Sequence, residues 1–337
     1  MKPAPVGVEF LRGGVVESVH RVHVAVTDGA GNLIAHVGDP QLVTFLRSSA
    51  KPFQAIPLVA SGAADAFGLS EPELALACGS HAGEPIHLAA VASMFAKAGI
   101  DPALLQCGTH PVRSKLSKQS LAGAKPTPLH HNCSGKHAGM MILQKHLGAD
   151  PANYLSPQSP VQQAILAALA EVAGVPASDI KVGTDGCSVP SFAMPLAASA
   201  RLFARLAQPQ GVSSTTAKAL ERLARAMARY PEMVSGSEGF DTALMNASED
   251  RLVSKAGAEA FQGVGDFSSG MGLALKVEDG ASRSVGPATV EALRQLGWLE
   301  GRAFEVLGDF WRPPQTNWSG KVTGECRPVL QLEGLQG

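Results

Sequence analysis

The chain of 337 residues has few charged side chains and no long apolar run. Charged residues make up 17% of it and the net charge is -1, so we expect neither nucleic acid nor an acidic membrane surface as a partner. No stretch approaches the eighteen apolar residues of a membrane helix, and the N-terminus lacks the apolar run of a signal peptide. A cytoplasmic protein is therefore expected.

Aromatic residues are also scarce, at 5%, and the cysteine count of five is odd. Widely spread cysteines in an odd number make a poor disulfide framework, so reduced thiols are expected. In contrast, hydrophobic residues make up 45% of the chain and there are 36 glycines. This composition is typical of a close-packed α/β enzyme with a large core, and it disfavours a β-sandwich.

One segment, Phe45–Phe53, carries a candidate nucleophile and its base: Ser48 and Lys51 are three residues apart. Residues at this spacing lie on one face of a helix, where the hydroxyl and the amine touch. A buried lysine, whose ammonium form is disfavoured, takes the proton of such a serine and activates it. Apolar residues at helical spacing follow, so we expect a helix that enters the core. The alternative is a serine that caps the helix and a lysine that faces solvent.

The same Ser-x-x-Lys spacing occurs again at Ser178–Lys181. This copy precedes a predicted strand and is interpreted as a turn. The motif alone is therefore weak evidence, and its context distinguishes the first copy from the second.

Predicted strands and helices are mixed along the chain. Residues 21–27 alternate in polarity and residues 33–37 return after a glycine-rich turn, which predicts a hairpin. Residues 107–132, rich in Pro, Ser, Lys and His, are predicted to be irregular, and residues 302–337 give few periodic signals. Polar, glycine-rich segments that lead into apolar helices are typical of α/β enzyme sites.

Several of these polar segments together resemble one known family. They are Leu46–Pro52, Cys78–Glu84, His131–Gly139, Gly183–Pro190 and, as a fifth, Lys255–Glu259. In this order they resemble the rhizobial-type (class 3) L-asparaginases, over about residues 6–325.

The resemblance implies an α/β (α+β) fold similar to serine β-lactamases and glutaminases, with an antiparallel sheet flanked by helices and an additional helical region. We expect one catalytic unit over residues 1–325 and a tail over 326–337. The alternative division is a sheet-rich part (1–60 and 250–325) and a helical part (61–249). The implied reaction converts L-asparagine and water to L-aspartate and ammonia, and the implied assembly is a homodimer.

Two Ser–Lys tandems line the site in that family, and they map onto Ser48 with Lys51 and Ser80 with Lys255. Amide hydrolysis through a serine needs an activated hydroxyl, an oxyanion stabiliser and a proton donor for the leaving ammonia. We predict that Ser48 attacks, that Lys51 is its base, and that Ser80 and Lys255 relay protons to the ammonia. Ser80 as the attacking residue is the alternative.

The family also has a metal site, usually filled by zinc, which maps onto Cys133, Lys136 and Cys187. Asp185 and His137 fall where outer partners of that site would be. From spacing alone, two cysteines 54 positions apart without a CxxC motif do not indicate zinc, and buried structural thiols are the alternative.

Three further side chains are predicted to contact the substrate. Arg47 is a planar double donor suited to the α-carboxylate. His81 and Asn132 are also predicted to bind the substrate. The alternative for His81 is a hydrogen-bonding spacer, and the alternative for Asn132 is a helix cap. Glu238 and Asp241 are candidates for the substrate amine, although acids in loops commonly face water.

Other functions stay open on the sequence. One alternative is a glutaminase. L-Glutamine is longer than L-asparagine by one methylene, and discrimination between the two depends on the depth of the pocket. A penicillin-recognising acyl transferase is another alternative. A β-lactamase is expected to contain Lys-Thr-Gly and Ser-Asp-Asn, and neither tripeptide occurs in the chain, which disfavours that function. A protein without catalysis would hold a metal through Cys133, Lys136 and Cys187, with Ser48 as a cap only.

Overall fold

The computed structural model describes residues 4–112 and 114–335. The chain divides into two compact units, each made of separate stretches of sequence. The first contains the chain up to Ser49, Met194–Gln208 and the chain from Ala243 onward. The second contains Ala50–Ala193 and Pro209–Thr242.

The first unit is built on an antiparallel sheet. The strands of the described chain are β1 (Val6–Arg12), β2 (Val15–Thr27), β3 (Leu33–Val37), β4 (Val43–Phe45), β5 (Lys181–Thr184), β6 (Pro190–Pro195), β7 (Leu252–Gly257), β8 (Phe261–Asp266), β9 (Gly272–Val277), β10 (Gln315–Thr316) and β11 (Val322–Pro328). The sheet has the order β10-β11-β1-β2-β9-β8-β7, with β3 also paired to β2. Its described pairs are all antiparallel, as predicted.

Helices supply the rest of both units. They are α1 (Lys51–Gln54), α2 (Ile56–Ala60), α3 (Ala63–Ala66), α4 (Glu71–Ala77), α5 (Pro85–Ala98), α6 (Lys115–Leu121), α7 (Ser134–His146), α8 (Pro160–Ala173), α9 (Leu196–Ala207), α10 (Ser214–Arg229), α11 (Pro231–Ser235), α12 (Phe240–Ala247), α13 (Val285–Gln295), α14 (Ala303–Val306) and α15 (Gly308–Trp311). Helices α9 and α13 pack on the sheet of the first unit. The second unit is mainly helical and includes the paired strands β5 and β6. The predicted fold class is confirmed.

Helix α9 approaches the sheet closely because glycines face it. A Cβ on Gly263 would lie 1.9 Å from Phe203 Cε2, and one on Gly272 would lie 2.2 Å from Ala200 O. Glycine inside a strand commonly marks such a close approach. The predicted hairpin at residues 21–37 is also present, as β2 and β3 in antiparallel register.

Two stretches are more regular than the sequence predicts. The prediction of an irregular segment at residues 107–132 is wrong for α6, which begins after Ser114, whose Oγ accepts a hydrogen bond from Ser117 N. The C-terminal stretch contains α14, α15, β10 and β11, and Cys326 lies opposite Phe10 in the sheet. Strand β11 pairs with β1 at the other end of the chain, so periodicity alone does not reveal it. None of the helices within residues 4–112 and 114–335 has the length and hydropathy of a membrane span.

Candidate functional site

The segment of the first Ser-x-x-Lys motif forms a 3₁₀ turn, Arg47–Ala50, that leads directly into α1. Pro52 is tolerated because it lies in the first turn of the helix. N–H groups there have no acceptor within the helix, so a proline costs no hydrogen bond. Ala50 occupies the N-cap position of α1, without a side-chain cap, so the cap role considered for Ser48 is wrong. The side chain of Lys51 is 0% exposed, which also rules out a solvent-facing lysine.

Lys51 belongs to the second unit, and its amine contacts three oxygen atoms of that unit. Its Nζ donates to Gly79 O at 2.6 Å, to Ser80 Oγ at 2.9 Å and to Asn132 O at 3.2 Å. Three oxygen atoms therefore lie within hydrogen-bonding distance of this amine. The Lys51–Ser80 contact joins a member of each predicted Ser–Lys tandem.

Ser80 is positioned by the backbone that follows α4. Gly79 has no side chain, and a Cβ there would lie 2.5 Å from Met233 O. Ser80 N donates to Val234 O at 2.6 Å. This close approach fixes Ser80 where its hydroxyl meets Lys51 Nζ.

A pocket of about 290 Å³ opens beside this pair in the second unit. Its lining includes Ser80, His81, His110, His130, Asn132 and Glu238. Ser114 and Ser235 also line it but carry no sequence signal, since serines that cap helices or stand in loops are common. Asp241, in contrast, is 1% exposed, so the expectation that it faces water is wrong.

His81 is engaged by the protein at both ring nitrogens. Gly83 N donates to Nδ1 at 3.1 Å, so Nε2 carries the proton and donates to Ser134 Oγ at 2.9 Å. Burial, with the nearby His87 and Lys51, holds the pKa of His81 well below its ordinary value. The neutral ring therefore presents a fixed tautomer beside the pocket.

Asn132 precedes α7, but the N-cap position belongs to Cys133, so the cap role considered for Asn132 is wrong. Its carbonyl accepts from Lys51, and its Oδ1 lies 3.3 Å from Cys133 Sγ. Asn132 thus contacts both Lys51, through its carbonyl oxygen, and Cys133, through its side chain.

Cys133, Lys136 and Cys187 come together in the second unit, all buried. Lys136 Nζ donates to Cys187 Sγ at 3.1 Å. A hydrogen bond from Cys187 lowers the pKa of the Cys133 thiol well below its ordinary value, and Lys51 and Lys136 contribute. Burial lowers the pKa of Lys136, but Cys133, Cys187 and Asp185 outweigh it and leave that pKa raised.

This donor set fits a zinc ion, because two sulfur ligands and a nitrogen are buried within contact of one another, and soft thiolates favour zinc. Residues 4–112 and 114–335 contain no group of three His, Cys, Asp or Glu side chains arranged for a metal. Asp185 Oδ2 lies 3.9 Å from Cys187 Sγ. His137 is buried with Nδ1 2.6 Å from Tyr154 Oη.

The other predicted site residues belong to the first unit. Arg47 has φ +52°, a left-handed conformation that is uncommon for a side chain of this size. Lys255 lies on β7, is 0% exposed and donates to Ala256 O at 2.7 Å. A Cβ on Gly257 would lie 2.4 Å from Leu46 O, so the end of β7 packs closely against the turn that contains Ser48.

The family model for L-asparaginase II matches residues 8–328. The chain belongs to the L-asparaginase II family. This confirms the resemblance found in the sequence and makes the protein an enzyme of an amidohydrolase family that acts on a small molecule. None of the curated proteins compared with this member of the L-asparaginase II family matches it.

Several solved structures are similar to this member of the family. Mglu has 13% identity and a TM-score of 0.46, over 83% of this chain and 67% of that chain. A β-lactamase from Mycobacterium bovis has 13% identity and a TM-score of 0.44, over 83% and 95%. A β-lactamase from Burkholderia ambifaria has 15% identity and a TM-score of 0.39, over 82% and 95%.

Proposed function

We propose that this L-asparaginase II family member hydrolyses the side-chain amide of L-asparagine to L-aspartate and ammonia through a serine acyl-enzyme. The main support is the fully buried Lys51, whose Nζ donates to Ser80 Oγ at 2.9 Å. An amine and a hydroxyl in contact beside a pocket provide the proton transfers that amide hydrolysis requires.

In the proposed acylation, neutral Lys51 takes the proton of Ser48 as the Ser48 oxygen bonds to the amide carbon. The ammonium of Lys51 then gives a proton to Ser80 Oγ, while the Ser80 hydroxyl proton passes to the leaving nitrogen. Ammonia departs and Lys51 is neutral again. Water then attacks the acyl carbon and gives its proton to Ser80, which passes its own proton to Lys51. Lys51 returns that proton to the Ser48 oxygen as the acyl bond breaks and L-aspartate is released. We assign Lys255 to the same relay, and backbone N–H groups of the Ser48 turn to the oxyanion.

Arg47 is proposed to bind the substrate's α-carboxylate through its planar pair of donors. The left-handed backbone at Arg47 supports this role, because residues held in sparsely populated conformations cluster at functional sites. His81 and Asn132, which line the pocket beside Ser80, are proposed to contact the substrate.

Cys133, Lys136 and Cys187 are proposed to hold zinc, with Asp185 and His137 as outer partners. When bound, zinc supplies a fixed positive charge that orients the substrate and stabilises the loops. Lysine ligates a metal only when it is neutral, so we expect Lys136 to lose a proton when the ion binds. The homodimer and the cytoplasmic location stay predictions.

Ammonia release from L-asparagine tests the proposal, with wild type and Ser48→Ala compared side by side. Loss of release in the variant, with the melting temperature unchanged, is the expected result. Absence of release by wild type, both with and without added zinc, would contradict the amidohydrolase reaction on L-asparagine.

A further inference from the structure

Glu238 is an exposed carboxylate in the pocket beside Ser80. Among the described residues that line this pocket, Glu238 is the one carboxylate, and none is a lysine or an arginine. The volume of about 290 Å³ is at the lower end of ligand pockets. A small cavity with this charge favours a small ligand that carries a positive group.

The loop that carries Glu238 is fixed to the Ser80 segment by a buried carboxylate. Ser237 N and Ser237 Oγ donate to Glu84 Oε1 at 3.2 and 2.8 Å. Glu84 is 1% exposed, and its side chain also caps the N-terminus of α5. The hydrogen bonds therefore tie the residue next to Glu238 to a rigid helix end.

Close backbone packing holds the other side of the loop. Gly236 has φ +82°, and a Cβ there would lie 2.5 Å from Ala82 Cβ, two residues beyond Ser80. Ser235 Oγ accepts from Thr242 N at 3.0 Å, which fastens the start of the loop to α12. Glu238 is thus presented from a pre-organised loop, so little ordering is needed when a ligand binds.

We propose that Glu238 binds the α-ammonium group of the substrate and thereby selects free amino acid amides with an uncapped amine. This inference rests on the proposed function, since the α-ammonium is the positive group of L-asparagine. The carboxylate accepts a charge-assisted hydrogen bond from the ammonium. An amide that lacks the amine leaves this carboxylate without its ligand partner.

Two substrates that differ in this group test the proposal: L-asparagine and succinamic acid, which lacks only the α-ammonium. Ammonia release from both is measured for wild type, Glu238→Gln and Glu221→Gln. Glu221 is an exposed residue of α10 outside the pocket lining, so it is a matched control. In parallel, calorimetry measures the affinity of each protein for L-aspartate and for succinate.

For L-asparagine, we expect Glu238→Gln to raise KM about 10- to 100-fold with a nearly unchanged kcat. For succinamic acid, we expect kcat/KM to change by less than about threefold, because no ammonium contact is lost. Calorimetry is expected to show the same selective loss for L-aspartate against succinate. The control Glu221→Gln is expected to match wild type.

Equal losses for both substrates, or no loss for L-asparagine, would overturn the role of Glu238. If wild type releases no ammonia from either substrate, the proposed function fails and calorimetry decides the inference separately. A selective loss of L-aspartate affinity in Glu238→Gln then still supports it. The role of Glu238 is overturned if wild type binds neither L-aspartate nor succinate. It is also overturned if Glu238→Gln binds both ligands with the affinity of wild type.

Discussion

Lys51 Nζ lies 2.9 Å from Ser80 Oγ, so the lysine of one predicted tandem contacts the serine of the other. Two carbonyl oxygens, of Gly79 and Asn132, accept from the same nitrogen. Because these two carbonyl contacts remain when the Ser80 hydroxyl is removed, we expect such a change to affect proton transfer more than the position of the lysine.

Ser80→Ala is expected to lower kcat by about 10²- to 10⁴-fold with little change in KM, because the proton donor for ammonia is lost. Steady-state ammonia release measures the effect. The second Ser-x-x-Lys copy supplies the control: Ser178 is exposed and hydrogen-bonded only locally to Asp179, and Ser178→Ala should match wild type. An acyl-enzyme burst that survives in Ser48→Ala but not in Ser80→Ala would make Ser80 the nucleophile.

Arg47→Asn is expected to raise KM for L-asparagine by about 10-fold or more, since a charge-assisted hydrogen-bond donor to the carboxylate is lost. The free energy of unfolding should stay near that of wild type, because asparagine tolerates the left-handed conformation at φ +52°. Kinetics and urea unfolding measure the two effects. An unchanged KM would remove Arg47 from the substrate site.

Cys187→Ser is expected to lower bound zinc from about one ion per chain to a small fraction, because a thiolate ligand is replaced by a hydroxyl that binds zinc weakly. Elemental analysis after purification without chelator measures the content. The control is Cys326→Ser, a buried cysteine of β11 in the first unit. Equal zinc in both variants, or none in wild type, would contradict the proposed metal site.

Asp266→Asn tests an ion pair in the first unit. Asp266 is 0% exposed and accepts from Arg251 Nε at 3.0 Å. Burial raises the pKa of Asp266, but hydrogen bonds from Arg251, Ser269 and Ser268 outweigh it and leave the pKa lowered. A lowered folded-state pKa stabilises the fold above the unfolded-state value of about 3.9, and this stabilisation disappears as pH falls through the folded-state value.

At pH 7, the unfolding free energy of the variant should therefore be about 3 kcal/mol lower than that of wild type. This difference should become smaller as pH falls below about 4. Urea unfolding at pH 7 and near pH 3 measures both values. Glu300→Gln, at an exposed position, is the control. A deficit that is constant with pH would show that the charge of Asp266 has no role.

Local patterns predicted the parts of this protein that depend on neighbours in sequence. The alternation at residues 21–27 identified β2, and the apolar positions after Lys51 identified its burial. Serine and lysine at helical spacing marked the Ser48 segment for the same reason. The family resemblance then supplied the cysteines and the lysine of the candidate metal site.

The contacts that remained hidden depend on tertiary packing. The Lys51–Ser80 contact is set by Gly79, whose missing Cβ lets the backbone approach Met233 O, and no spacing rule contains that approach. Strand β11 depends on β1 at the other end of the chain. Glu238 is exposed like many loop acids, and only the pocket around it distinguishes it.

The pairing of β2 with β9 has a consequence during synthesis on the ribosome. Val22 of β2 lies opposite Val277 of β9, so the nascent β2 waits for roughly 250 residues to be added, or about 10 to 50 s at ordinary translation rates. During that delay, its buried valines have no partner on this edge. Chaperone supply and translation speed are therefore expected to control the yield of folded enzyme more strongly than the stability of the finished sheet does.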